Sequence, residues 1–126
     1  METTFEKAYF LDTYALIEII NHNRNYELYK KGNFITTRLN LMELHYSLLR
    51  TVGKKEADFH YNFLLPLIVE ISDEIIKKSN EFKLLNKKKK LSYVDCIGYI
   101  LAGINNAKFL TGDNQFKGFD NVEFVK

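Results

Sequence analysis

The sequence predicts an α/β fold, with a parallel sheet covered on both faces by helices. Three observations lead there. Short strand-like runs alternate with segments of helical spacing along all 126 residues, the pattern of βαβ units. The first run, Ala8-Tyr9-Phe10-Leu11, is apolar on both faces, as a buried parallel strand is. No Gly/Ser linker, repeat or composition shift divides the chain, and proline occurs once, at Pro66. Residues 1–126 are therefore expected to form a single domain.

Residues 8–11 form the first strand, which ends at Asp12. Residues 13–20 have helical spacing, with Ala15 or Leu16 and Ile19 or Ile20 on one side, and the polar stretch 21–25 breaks that helix. Residues 26–31 read as a short second helix closed by Gly32. Phe34-Ile35-Thr36-Thr37 is the second strand. Asn40-Leu41-Met42-Glu43 is a capping-box pattern, and Leu41, Leu44, Leu48 and Val52 stripe the helix it opens. Residues 54–64 predict a further helix, with Phe59 and Phe63 one turn apart. Residues 67–71 are apolar and β-branched, a third strand. Residues 73–85 are helical and offer Ile75, Ile76, Phe82 and Leu85 to the core. Ser92-Tyr93-Val94-Asp95 is a second capping-box pattern. Its helix carries Val94, Ile97, Leu101 and Ile104 on one stripe, while Gly98, Ala102 and Gly103 keep a flank small enough to approach the sheet. Lys108-Phe109-Leu110-Thr111 is the fourth strand, ending in the turn Gly112-Asp113-Asn114, and residues 122–125 predict a short fifth.

Composition narrows the function classes. A hydrophobic fraction of 46% with 27% charged residues excludes a disordered chain. One cysteine, Cys96, excludes an intramolecular disulfide and fits a reducing cytosol, so a cytoplasmic location is expected. One Cys and three scattered His do not make a zinc cluster. Acids at Glu2 and Glu6 precede an apolar run of only about four residues, too short for a signal peptide or a membrane span. A net charge of +2 does not argue for nucleic acid; local charge must, and the one run is Lys87, Lys88, Lys89 and Lys90.

In open parallel sheets, sites form at the carboxyl ends of strands. Asp12 follows the first strand and Asp113 the fourth, and Glu43 lies in the first turn of the helix after the second. Asp95 opens the helix that leads into the fourth strand. Reading that pair as antiparallel sets Asp95 at the opposite rim unless the helix tilts, so spacing leaves its place open. Each acid also has a local reading. Asp12 can cap the helix that follows, Glu43 and Asp95 can close capping boxes with Asn40 and Ser92, and Asp113 can be a turn residue. Singly, none identifies a function.

Together the four segments resemble the PIN-domain family, in particular its short VapC-type toxin ribonucleases. The matching stretches are Tyr9-Phe-Leu-Asp-Thr13, Asn40-Leu-Met-Glu-Leu44, Ser92-Tyr-Val-Asp-Cys-Ile97 and Phe109-Leu-Thr-Gly-Asp113, which span essentially the whole chain. The resemblance implies a three-layer α/β/α sandwich with a central parallel sheet of about five strands. It implies cleavage of RNA with Mg²⁺ or Mn²⁺, leaving a 5′-phosphate and a 3′-hydroxyl. Asp12, Glu43, Asp95 and Asp113 would then converge as catalytic, metal-binding carboxylates, supported by Thr13, Asn40 and Thr111. It further implies a small antitoxin partner that inserts a segment into the acidic cleft, and a homodimer. The chain departs from many relatives at Gln115, where they carry a further acid.

The chemistry suits these residue types. Hard divalent cations take carboxylate oxygens, and a metal pair can clamp the attacking and leaving oxygens of a phosphodiester. Two carboxylates ~4 Å apart at an effective dielectric of about 20 repel by roughly 4 kcal/mol, so one should hold a proton or the group should bind cation. Lys87 to Lys90 and Arg38 are the expected phosphate contacts, against a plain reading of the lysines as a solvated loop. Tyr14, Tyr46 and Tyr93 neighbour the acids and can stack on bases, although at least two are expected to pack in the core. An aspartyl phosphatase would need Asp-x-Asp, where this chain has Asp12-Thr13-Tyr14. The remaining rivals are a catalytically silent PIN-like binding module and an RNA-maturation nuclease.

Overall fold

The computed structural model describes residues 7–126; the acid-bearing residues 1–6 lie outside the described residues. Four strands, β1 (Ala8–Leu11), β2 (Asn33–Ile35), β3 (Lys108–Thr111) and β4 (Val122–Phe124), form one parallel sheet in the order β2-β1-β3-β4. β1 is flanked on both sides, with Phe10 opposite Ile35 and Phe109. This central place is why the first run is apolar throughout. Tyr9 and Leu11 point into one core layer with Leu110, and Phe10 points into the other with Phe109. The Phe10 and Phe109 rings stack with centroids 5.5 Å apart. Helices α1 (Thr13–Ile20), α2 (Arg38–Thr51) and α3 (Lys54–Leu64) supply the first layer through Ala15, Leu16, Leu41, Leu44, Leu48 and Ala57. Helices α4 (Asp73–Leu85) and α5 (Tyr93–Ile104) supply the second through Ile75, Cys96, Ile97, Leu101 and Ala102. The result is the expected α/β/α sandwich.

Four local expectations change. Residues 67–71 do not form a strand. A 3₁₀ turn over Leu65–Leu67 holds Pro66, and one parallel bridge joins Thr36 to Ile68. β2 ends at Ile35 because Thr37 already turns away to cap α2, so its edge offers no length for a fifth strand. The second short helix is 3₁₀ and spans Arg24–Lys31, capped by Asn23. Gly32 closes it in extended backbone; the glycine is needed there because a Cβ would sit 2.8 Å from the Tyr9 ring and 2.9 Å from the Lys7 carbonyl oxygen. α2 starts before Asn40, because the Thr37 hydroxyl accepts the Asn40 N–H at 3.2 Å. The Asn40–Glu43 box therefore does not form, and Glu43 lies in the second turn. Val52, Ile76, Leu85 and Ile104, expected in helical stripes, are exposed. Val52 is the C-cap of α2, Ile104 ends α5 and Leu85 ends α4.

The small flank of α5 divides in two. A Cβ on Gly98 would lie 2.7 Å from the Phe10 ring and 3.2 Å from the Phe109 ring, whereas a Cβ on Gly103 meets nothing within 4 Å. Both alanine variants gain helix propensity of up to ~1 kcal/mol. Overpacking against two buried rings costs about 1–3 kcal/mol. Gly98→Ala is expected to lower the urea midpoint and Gly103→Ala to raise it; the same direction for both would contradict this packing.

Candidate functional site

The carboxyl rim of the sheet collects the acids by local folding. Asp12 ends β1 in extended backbone and caps α1, its Oδ1 accepting the Ala15 N–H at 2.9 Å. Its Oδ2 accepts the Thr111 hydroxyl at 2.5 Å from the end of β3. Thr111 Oγ1 in turn accepts the Asp113 N–H at 3.0 Å, and Asp113 Oδ1 accepts the Gln115 N–H at 3.0 Å, capping a short 3₁₀ turn. Neighbouring β1 and β3 thus deliver Asp12 and Asp113 side by side, cross-linked through one threonine.

Asp95 reaches this group from the other layer. Its Oδ2 accepts the Ser92 N–H at 2.9 Å and its own N–H donates to the Ser92 hydroxyl at 3.0 Å, so the capping box forms as expected. The opposite-rim placement fails because the antiparallel run implies the reverse: such a helix begins level with the carboxyl end of the strand it leads into. α5 turns back into β3 through residues 105–107, with Ala107 N–H donating to the Ala102 carbonyl at 2.9 Å. A helix reversing through so short a turn runs antiparallel to its strand, and its start lies where the strand ends. Asp95 and Asp113 both act electrostatically on Asp12. Burial first, then these two charges, pushes the Asp12 carboxyl up to about 7, against the downward pull of its Thr111 and Ala15 hydrogen bonds. Burial also raises Asp95, with Asp113 adding to it and Lys83 opposing it.

Glu43 enters by a different route. The Thr13 hydroxyl donates to Glu43 Oε1 at 2.6 Å and accepts from Asn40 Nδ2 at 3.2 Å, while Asn40 Oδ1 accepts the buried Thr37 hydroxyl at 2.6 Å. Thr37, Asn40, Thr13 and Glu43 form one chain from α2 to the start of α1. Asn40 therefore reaches Glu43 through Thr13.

As placed, no three Asp, Glu, His or Cys side chains among the described residues are grouped to share one ion. The donor chemistry nonetheless fits a hard cation. Asp12, Asp95 and Asp113 are oxygen donors, and Asp12 holds its proton to unusually high pH chiefly because it is buried, with the charges of Asp95 and Asp113 adding to the effect. Two residues past Asp113, the buried Oε1 of Gln115 has no hydrogen-bond partner among the described residues and is a neutral oxygen donor.

The expected phosphate contacts do not form one patch. Lys87 to Lys90 are exposed, but Lys89 Nζ lies 5.2 Å from the Phe119 ring centroid and Lys90 takes a left-handed φ of 56°. Arg38 opens α2 and pairs with Glu70 at 3.4 Å in the open, a contact worth little. The cation acting on Asp95 is Lys83, which sequence reading missed. It lies in the last turn of α4, outside any charge run, and only the packing of α4 on α5 brings it near. The tyrosine expectation also changes. Tyr14 packs against the core, but Tyr46 and Tyr93 are 64% and 65% exposed. Tyr46 falls off the Leu41, Leu44, Leu48 stripe, and Tyr93 begins α5 beyond its buried turns. Cys96 is fully buried, and burial pushes its thiol up to about 11, so it is inert.

The PIN domain family model matches residues 9–122. No curated protein matches the chain. Among solved structures, the chain is similar to VapC20 of Mycobacterium tuberculosis, described as a sarcin-ricin loop cleaving toxin: TM-score 0.78, 16% identity, 94% of this chain and 99% of that one. It is similar to a chain of a toxin–antitoxin complex from Klebsiella pneumoniae: TM-score 0.71, 18% identity, 91% and 95% coverage. It is also similar to a chain of VapBC2 from Rickettsia felis, in a structure bound to a promoter DNA fragment: TM-score 0.71, 23% identity, 94% and 99% coverage.

The electrostatics of Asp12 set a pH dependence for the metal-free protein. A carboxyl whose folded pKa lies above its unfolded value favours folding at low pH, and that contribution is lost as pH rises through the folded pKa. For Asp12 the loss runs from its ordinary 3.8 up to about 7. Asn keeps the N-cap oxygen, whereas Ala loses it at a cost of about 1 kcal/mol. In EDTA, Asp12→Asn is expected to melt above wild type at pH 8, with the gap closing toward pH 4, and Asp12→Ala to melt below Asp12→Asn throughout. Thermal melts across that range check it.

Proposed function

The chain belongs to the PIN-domain family, and from that premise we propose that it is a divalent-metal-dependent endoribonuclease, the toxin of a toxin–antitoxin pair. The observation supporting this reading is that Asp95 and Asp113, from two other segments, lie near enough to act on the charge of Asp12, which is buried with its ionised form disfavoured. The sheet's carboxyl end is where open parallel α/β folds place their chemistry.

In this reading Asp12, Asp95 and Asp113 hold Mg²⁺ or Mn²⁺. A bound ion would supply Lewis-acid polarisation of the phosphodiester and make water acidic enough to attack near neutral pH. Thr111 orients Asp12 and fixes the backbone of Asp113, so the two carboxylates move as a unit. Ser92 fixes the rotamer of Asp95. Thr13, itself held by Asn40, aims Glu43, which completes the ligand shell or takes the proton from the attacking water. Attack on phosphorus with the 3′ oxygen leaving gives a 5′-phosphate and a 3′-hydroxyl. The similar chain from a toxin–antitoxin complex supports a small antitoxin as partner, one that masks the acidic cleft. A homodimer follows from the VapC resemblance.

Purified protein is expected to cut single-stranded RNA with Mn²⁺ or Mg²⁺, to stop in EDTA, and to lose more than about a hundredfold of its rate on Asp12→Asn. Gel analysis with 5′-end chemistry checks both cleavage and products. RNA that is bound but left intact with either metal would instead identify a silent binding module, the reading that Gln115 favours.

A further inference from the structure

Beside Asp95, α4 and the start of α5 enclose a cleft of about 280 Å³ lined by Asn80, Lys83, Leu84, Lys87 and Tyr93. Tyr93 is the first residue of α5, two before Asp95, and is 65% exposed. Lys83 Nζ lies 4.9 Å from the centre of its ring and donates to the Leu91 carbonyl at 2.5 Å, which holds the ammonium in place. Leu84, 69% exposed, adds an apolar wall, and Lys87 puts an exposed charge at the edge.

We propose that this cleft is a nucleotide subsite for single-stranded RNA, in which Tyr93 stacks on one base and Lys87 meets the adjoining phosphate. The inference rests on the nuclease reading above and names where its substrate is held. Three observations select this occupant. An exposed aromatic ring among cations is the pairing that recognises unpaired nucleotides, since every base has a π face and every linkage a charge. A base can reach such a ring only when it is unstacked, which favours a single strand or loop over a duplex. The third is electrostatic need. A net charge of +2 gives the whole molecule little attraction for RNA, and the acid rim repels phosphate, so approach requires local cations next to that rim. Tyr93 stands two residues before Asp95 in the first turn of α5, so the cleft adjoins the acids. A nucleotide in it lies beside the scissile bond. Because stacking tolerates all bases, this subsite sets affinity and register more than sequence.

The test uses Asp12→Asn protein with Mg²⁺ and a labelled single-stranded oligoribonucleotide, followed by fluorescence anisotropy. Adding Tyr93→Ala is expected to weaken binding about 5- to 100-fold, and Tyr93→Phe to recover most of that loss. An oligonucleotide with one abasic position should show the same loss at a single position, where Tyr93→Ala adds nothing further. Lys87→Ala should lower the salt slope by about one. Phe63→Ala, an exposed ring on α3, should change nothing. In the cleaving enzyme, Tyr93→Ala should raise KM more than it lowers kcat. Unchanged affinity in folded Tyr93→Ala protein would overturn the subsite, as would loss of binding to a protein partner alone. With Mn²⁺-dependent cleavage intact, either result would leave the nuclease reading standing. Tyr93-dependent RNA binding without cleavage under any metal would do the reverse.

Discussion

Asp12 stands at the end of the central strand, 5% exposed, with its two oxygens tied to α1 and β3. Burying a carboxylate among other carboxylates opposes its ionisation, and the structure meets that cost with hydrogen bonds alone. The surrounding framework follows from this constraint. β1 must be central, so that Asp12 has β3 and its Thr111 on one side. α1 must start at once, so that an N–H faces Oδ1. The turn after Thr111 must bring Asp113 back beside it. Gly112 makes that turn possible, because a Cβ there would lie 2.3 Å from the Tyr14 ring and 2.4 Å from the Val125 carbonyl oxygen.

Much of this was legible in the sequence because it is local. A short apolar run ending in Asp12 before a helix, and another ending in Thr-Gly-Asp, place two acids on one rim with no knowledge of the pairing. Ser92 and Asp95 three apart announce their own capping box. The remainder was set by competition or by tertiary contact. Thr37 and Asn40 are both good caps, and Thr37 prevails because the strand delivers it in extended backbone three residues earlier. Residues 67–71 have strand propensity, but β2 is too short to pair with them. The antiparallel run of α5 into β3 was itself legible, and it sets Asp95 at the rim where β3 ends. That direction is fixed by the tight turn at residues 105–107 and not by any side-chain pattern.

Charge placement shows the same division. The lysine run at residues 87–90 is conspicuous in sequence, yet the fold disperses it: Lys89 rests on Phe119 and Lys87 borders the cleft at Tyr93. The cation that acts on Asp95 is Lys83, a single residue in the last turn of a helix. Proximity in sequence overstated the run, and proximity in space brought out the lone residue.

The double duty of the acids has an evolutionary consequence. Asp12 and Asp113 each cap a helical turn, a task that asparagine or serine performs about as well without charge, and Asp95 holds a capping-box position that neutral glutamine also fills. Architecture alone would therefore drift toward neutral side chains at these places. That the chain carries three anions there, one of them Asp12 with burial opposing its charge, is more than architecture alone requires. A descendant freed from that demand could fall silent while keeping its shape intact.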